Sequence, residues 1–63
     1  MNWKEIEKPD GSKWRRPCWP VGRWITFGPS YVMIHWESKI NGYDVTFYNP
    51  SNENQKAEDW EEL

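Results

Sequence analysis

Six tryptophans, three tyrosines and two phenylalanines stand in a chain of 63 residues, and this aromatic load constrains the fold most. A chain of that length buries only about 60% of the surface its unfolded form exposes. Its core is therefore thin, and flat rings carrying about 150–250 Å² each must supply most of it. Disordered chains are poor in aromatics, which excludes disorder throughout. Small domains gain stability from disulfides, a metal or oligomerisation. Cys18 is the only cysteine and His35 the only histidine, so neither an internal disulfide nor a zinc set is available. Six tryptophans exceed what one small core readily hides. Some are expected to line a pocket or a subunit interface in a dimer or tetramer.

Charge narrows the partners. Residues 1–36 hold six Lys/Arg against three Asp/Glu, a balance of +3, and residues 37–63 hold two against seven, a balance of −5. A basic front half beside an acidic tail argues against bulk nucleic-acid binding, which relies on a broad positive field. A small anionic ligand held by a few arginines fits better. No apolar run approaches the roughly 20 residues of a membrane span, and no signal peptide is visible. The unpaired Cys18 is compatible with a reducing cytosol.

Periodicity predicts a mainly β, α+β fold in a single domain over 1–63: a small antiparallel sheet of four or five strands with short helical pieces. Trp3 and Ile6, three apart within Met1–Lys8, suit one or two helical turns that must lie against the core. Pro9-Asp10-Gly11-Ser12 is a turn. Lys13–Arg16 reads as a short strand ended by Pro17, and the prolines of Pro17–Gly22 keep that stretch irregular. Arg23–Phe27 is rich in strand formers between Gly22 and Gly28. Tyr31–Glu37 alternates, with Val32, Ile34 and Trp36 on one face and Tyr31, Met33 and His35 on the other. Asn41-Gly42 is the favoured type I′ hairpin dipeptide, so Tyr43–Tyr48 should pair back, with Tyr43, Val45 and Phe47 sharing a face. Ser51 is placed to cap a short helical turn through Asn52–Lys56. Glu58–Leu63 returns as an edge strand carrying Trp60.

Catalysis finds little support. Nucleophilic chemistry needs a nucleophile, a base in reach and an orienting group. Cys18 and His35 are the only such pair, and His35 sits in mid-strand. The neighbouring acids Glu58/Asp59 and Glu61/Glu62 point to opposite faces of a strand and read as a solvated edge. No phosphate-cradling glycine loop and no metal-ligand spacing occurs, so neither a cofactor nor a metal is expected. Binding is the better reading. Arg15 and Arg16 lie next to Trp19, with Arg23 and Trp24 close behind, and aromatic planes stack on bases while guanidinium groups clamp phosphate. Read blandly, the tryptophans are core and the arginines solvated surface. An aromatic cage for a methylated amine, with Glu37 or Asp44 as its acid, is a further option. A single-strand nucleic-acid platform calls for a larger basic excess than this chain has.

Lys13-Trp14-Arg15-Arg16-Pro17-Cys18-Trp19-Pro20 resembles the K-x-R-R-x-x-W opening of a family of small phage proteins. Ala57-Glu58-Asp59-Trp60-Glu61 resembles that family's L-A-E-D-W-E ending, and the strands and Asn49-Pro50-Ser51-Asn52 between them follow its order. The family is the second Thoeris anti-defence group, and the similarity spans roughly residues 12 to 62. The resemblance implies a protein that does no chemistry and assembles as a homo-oligomer in the host cytoplasm. It would sequester a cyclic ADP-ribose-type signal, or a cyclic dinucleotide as relatives do, near subunit interfaces. Some members have been labelled anti-CRISPR proteins. Carried over by position, Arg15, Arg16 and Trp19 match the opening motif, Ser51 and Asn52 the polar turn, and Trp60 the ending. Arg16 and Trp19 are the expected phosphate and base contacts, and Trp60 is expected in the core or an interface. The chain departs from the family in its short Met1–Lys8 segment, which leads into Pro9 instead of a G-K turn, and in lacking the insertion many members carry between the central strands. The runner-up function is a proteinaceous inhibitor that docks on a host protein through an aromatic patch, its acidic tail mimicking nucleic acid.

Overall fold

The computed structural model describes residues 1–38, 40 and 42–63. Five strands form one antiparallel sheet: β1 (Trp14–Arg15), β2 (Arg23–Phe27), β3 (Val32–Ser38), β4 (Gly42–Phe47) and β5 (Glu61–Glu62), in the order β4-β3-β2-β1-β5. Two short helices accompany it, α1 (Trp3–Ile6) and α2 (Asn52–Lys56). The expected mainly β fold, with a short N-terminal helix and a helix before the last strand, is the one observed. Asn41 lies outside the described residues, and with it the turn type read from Asn41-Gly42. The β3–β4 ladder closes at Ser38↔Gly42, where glycine accepts a φ of 77°.

Local chemistry accounts for the ends of each element. Asn2 caps α1 through a reciprocal pair. Its Oδ1 accepts from the Glu5 amide at 3.0 Å, while Glu5 Oε1 accepts from the Asn2 amide at 3.0 Å. Four residues do not sustain a helix alone, and α1 is held by burial of Trp3 and Ile6. Pro17 halts β1 because it offers no amide to the ladder. Ser51 Oγ caps α2 by accepting from the Asn54 amide at 3.2 Å. Between β2 and β3 the Gly28 amide donates to the Tyr31 carbonyl at 2.8 Å. A Cβ on Gly28 would overlap the Tyr31 ring, so a larger residue there displaces that ring.

Register divides the sheet into two unlike faces. Trp14↔Ile25, Ile25↔Ile34 and Phe27↔Val32 align on the face that the helices cover. Trp3, Ile6, Trp14, Ile25, Phe27 and Trp60 form the core there, bordered by Trp19, Val32, Ile34, Tyr48 and Ala57. Rings meet edge to face: Trp3 lies 5.2 Å from Phe27 and 5.5 Å from Trp60, centroid to centroid. Such pairs add about 0.5–1.5 kcal/mol beyond area burial. The other face carries Trp24, Thr26, Met33, His35, Tyr43, Val45 and Phe47, joined by Trp24↔His35, Thr26↔Met33, His35↔Val45 and Met33↔Phe47. No described helix lies over it.

Ile25 is fully buried at the centre of the covered face. Ile25→Ala is expected to cost about 2–5 kcal/mol through lost transfer energy and the cavity left behind. That is a large share of the stability of so small a domain. Urea unfolding followed by tryptophan fluorescence checks this, with a lower midpoint and an unchanged slope as the expected result.

Candidate functional site

The residues expected to bind a ligand fall into two groups on opposite sides of the sheet. The first lies where the opening and closing motifs meet. Arg16, just past β1, directs Nε to Asp59 Oδ1 at 2.9 Å and Nη2 to Asp59 Oδ2 at 3.3 Å, a bidentate grip. Its Nη1 donates to Asn54 Oδ1 at 2.9 Å, and Glu53 stands 3.9 Å away. Asn54 continues the network through Nδ2 to the Tyr48 hydroxyl at 2.6 Å, and its carbonyl accepts from Trp60 Nε1 at 3.1 Å. Arg15 donates through Nη1 to Glu61 Oε1 at 2.9 Å and through Nη2 to the Trp19 carbonyl at 2.7 Å. The Trp19 ring meets Trp60 at 5.2 Å and Tyr48 at 6.1 Å, both edge-on. Ser51 caps the adjoining helix, and Asn52 is exposed on its first turn.

The electrostatics of this group are inward-looking. The hydrogen bonds from Arg16 hold the Asp59 carboxyl below its usual 3.8, and Asp59 in turn holds Arg16 firmly protonated. Burial raises the Tyr48 phenol above 10, partly offset by its bond from Asn54 and the charge of Arg16, so it stays protonated. Three of the five N–H donors of Arg16 are engaged, and its side chain is 14% exposed. This arginine is foremost a clamp between β1, α2 and the last strand.

The second group sits on the open face. Trp24 and His35 stack with centroids 5.4 Å apart and planes 4° apart. Tyr43 tilts against both, at 6.1 Å from Trp24 and 5.9 Å from His35. Lys13 Nζ stands 5.1 Å from the Trp24 ring centroid, within cation–π range. His35 Nε2 shares a hydrogen bond with Thr26 Oγ1 at 2.8 Å, and Nδ1 shares one with the Tyr43 hydroxyl. Burial, then the charge of Lys13, pushes the imidazole below its usual 6.5. Alternation along β1 puts Arg15 on the same side as Lys13. Trp24 Nε1 is buried with no hydrogen-bond partner among the described residues.

The structure thus brings Arg16, Trp19 and Trp60 together on the covered side, with Ser51 and Asn52 at the start of the helix whose Asn54 bonds to Arg16, and puts Arg15 on the open side with Trp24, its guanidinium reaching the Trp19 carbonyl. Trp60, 2% exposed, is core. His35 bonds to Thr26 and Tyr43, while Cys18 lies exposed in the loop after β1. Asn54, Asp59 and Tyr43 were missed as site residues. Alternation had already put Tyr43, Val45 and Phe47 on one face, but only the register joins that face to Trp24 and Lys13. A separate cleft of about 350 Å³ lies beside the β2–β3 turn between Glu7, Pro9, Phe27 and Tyr31, away from every expected contact. Among the described residues no group of three or more His, Cys, Asp or Glu is placed to hold a metal. No described helix is long and apolar enough to cross a membrane. Comparison with known proteins found no matching family model, curated protein or solved structure.

Because the folded state favours neutral His35, the unfolded chain takes up its proton first as the pH falls. The stability this group contributes is present above about 6.5 and is lost as the pH falls through the lower folded value. The melting midpoint is expected to decline as the pH falls from about 7.5 through 6.5 toward the lower folded value. A His35→Gln variant should be flatter over that window, and parallel curves would contradict the assignment. The Arg16–Asp59 contribution disappears only at more acid pH, below 3.8, so the two effects separate.

Proposed function

We propose that this chain is a non-catalytic binding protein that captures a cyclic nucleotide signal, of the cyclic ADP-ribose type or a cyclic dinucleotide. It acts as a homo-oligomer in the host cytoplasm and holds the signal without cleaving it. The observation that carries this reading is the pairing of cation with aromatic on the open face, where Lys13 lies against the Trp24 ring of the Trp24–His35–Tyr43 stack and strand alternation puts Arg15 on the same side. Nucleobases stack on such rings, and phosphates take charge-assisted bonds from ammonium and guanidinium groups. Arg15 has three N–H donors beyond the two that Glu61 and Trp19 engage. Arg16 and Trp19 lie on the covered side behind this face, where Arg16 fixes the end of β1 against Asp59. The resemblance of residues 13–20 and 57–61 to the second Thoeris anti-defence group supports the same reading. Those two segments are bonded to each other here through Arg15–Glu61 and Arg16–Asp59.

Sequestration needs tight binding and slow release, because a weak binder leaves free signal behind. Rigid rings suit it, since they bring much contact area for little rotamer freedom lost. The nucleic-acid-mimic reading is weakened by the internal pairing of Asp59 and Glu61, which removes two charges from the acidic tail.

A thermal-shift panel of cyclic ADP-ribose isomers and cyclic dinucleotides tests the proposal. A ligand at 100 times its dissociation constant adds about 2.7 kcal/mol to the native state. In a domain of this size the midpoint should rise on the order of 10 °C. Lys13→Glu should abolish most of the shift while leaving the unliganded midpoint close to that of the parent. The bound compound should be recovered unchanged by chromatography. A flat panel from folded protein, or recovery of a cleaved product, would overturn the reading.

A further inference from the structure

The cleft beside the β2–β3 turn takes no part in the site described above. It holds about 350 Å³ between Glu7, Pro9, Phe27, Pro29, Ser30 and Tyr31. Small-molecule sites run from about 300 to about 1,000 Å³, which gives this cleft the size for a small metabolite. Its walls are fixed by the fold. Phe27 is buried and set edge-on against Trp3. The Tyr31 ring lies over Gly28, which has no Cβ to obstruct it, and the bond from the Gly28 amide to the Tyr31 carbonyl closes the turn. Pro9 and Pro29 bring backbone angles that are already locked. Glu7 is held from both sides: its amide donates to the Trp3 carbonyl at 3.0 Å, and the next amide, of Lys8, donates to the Ile6 carbonyl at 2.7 Å. A cleft framed in this way loses little freedom when a ligand enters.

The polar groups of the cleft are unengaged. Among the described residues, the Glu7 carboxylate and the hydroxyls of Ser30 and Tyr31 have no hydrogen bond or ion pair. Of the residues that line the cleft, Glu7 alone is charged.

We propose that this cleft binds a small organic cation free in solution, an ammonium group on an apolar body the size of one aromatic ring. Charge selects the sign of the ligand. An anion would meet the Glu7 carboxylate with no lining cation to offset it, and like charges brought together are unfavourable. A neutral apolar molecule would strip water from that carboxylate and give it no partner. An ammonium group instead gives it a charge-assisted hydrogen bond. It carries three donors, and the carboxylate and the two hydroxyls supply acceptors. The Tyr31 ring adds cation–π attraction, and Phe27, Pro29 and Val32 face the apolar body. A divalent metal ion calls for more oxygen ligands than one carboxylate and two hydroxyls provide. This inference does not rest on the nucleotide reading. The residues differ and the ligand charge is opposite, so either can fail alone.

Amide nuclear magnetic resonance of the full, isotope-labelled chain, titrated with phenethylammonium at about pH 7, tests it. The amides of Glu7, Gly28, Ser30, Tyr31 and Val32 should shift together and saturate with a dissociation constant of about 1 mM or below. Phenethyl alcohol, the same body without the charge, should bind about tenfold more weakly or worse, and phenylacetate should not bind. Glu7→Gln should weaken phenethylammonium about tenfold or more and leave the melting midpoint unchanged, because the carboxylate has no partner in the fold. Glu62→Gln, the same loss of charge on the exposed strand β5, should bind like the parent. Gly28→Ala keeps every charge but displaces the Tyr31 ring, and it should weaken binding as well. The amide spectrum of each variant establishes that it is folded; should Gly28→Ala fail to fold, the comparison of Glu7→Gln with Glu62→Gln decides. No saturable shift at those amides, equal binding of the alcohol or of phenylacetate, a Glu7→Gln variant that binds like the parent, or equal loss in Glu62→Gln would each overturn the proposal. So would a capped lysine amide that binds more tightly than phenethylammonium, since that would assign the cleft to a side chain of a protein partner.

Discussion

Trp60 is where the two ends of the chain meet, and the covered face of the sheet closes around it. Its ring packs edge-on against Trp3 from the first helix and Trp19 from the loop after β1. Its indole N–H donates to the Asn54 carbonyl in α2, and its amide donates to the Met1 carbonyl at 3.1 Å. The Met1 ammonium reaches back to the carbonyls of Glu58 and Trp60. One residue therefore satisfies a helix end, anchors a helix too short to persist alone and fills the centre of the core. A two-residue strand such as β5 has few ladder bonds of its own, and its position follows from this anchoring and from Arg15–Glu61.

The arginine pair shows how the same residue types serve structure or binding according to their partners. A guanidinium fork fits phosphate and carboxylate equally well. In Arg16 the fork faces Asp59 and Asn54, so its charge is answered within the chain and the two motifs are locked together. Lys13, two residues before Arg15, instead lies over an aromatic ring on the open side. The proposed ligand chemistry accordingly centres on the open face, while the clamp behind it keeps β1 in place.

Much of the fold was legible in the residues. Arg23–Phe27 and Asn52–Lys56 occupy the spans that their composition and caps suggested. The alternation in Tyr31–Glu37 put Ile34 and His35 on opposite faces, as found, and the register shows that Ile34 is on the core side. The first and last strands proved shorter than Lys13–Arg16 and Glu58–Leu63, because Pro17 removes a donor and Trp60 gives its amide to the Met1 carbonyl and its ring to the core rather than joining the ladder. The fate of individual tryptophans was not legible. Trp14, Trp19 and Trp24 stand five residues apart in sequence, yet one is core, one borders it and one lies on the opposite face.

What the sequence determined by itself is what short-range sterics and periodicity decide: where strands and caps fall, which side chains share a strand face, and that aromatic rings must build the core. What only the tertiary structure decided is which groups separated by tens of residues meet. Arg16 finds Asp59 from 43 positions away, Arg15 finds Glu61 from 46, and strand register makes one face a core and leaves the other open. The reason is physical. Local preferences act through backbone geometry over a few residues, whereas the pairing of charges and rings depends on how the strands align, and that alignment minimises the free energy of the whole sheet at once.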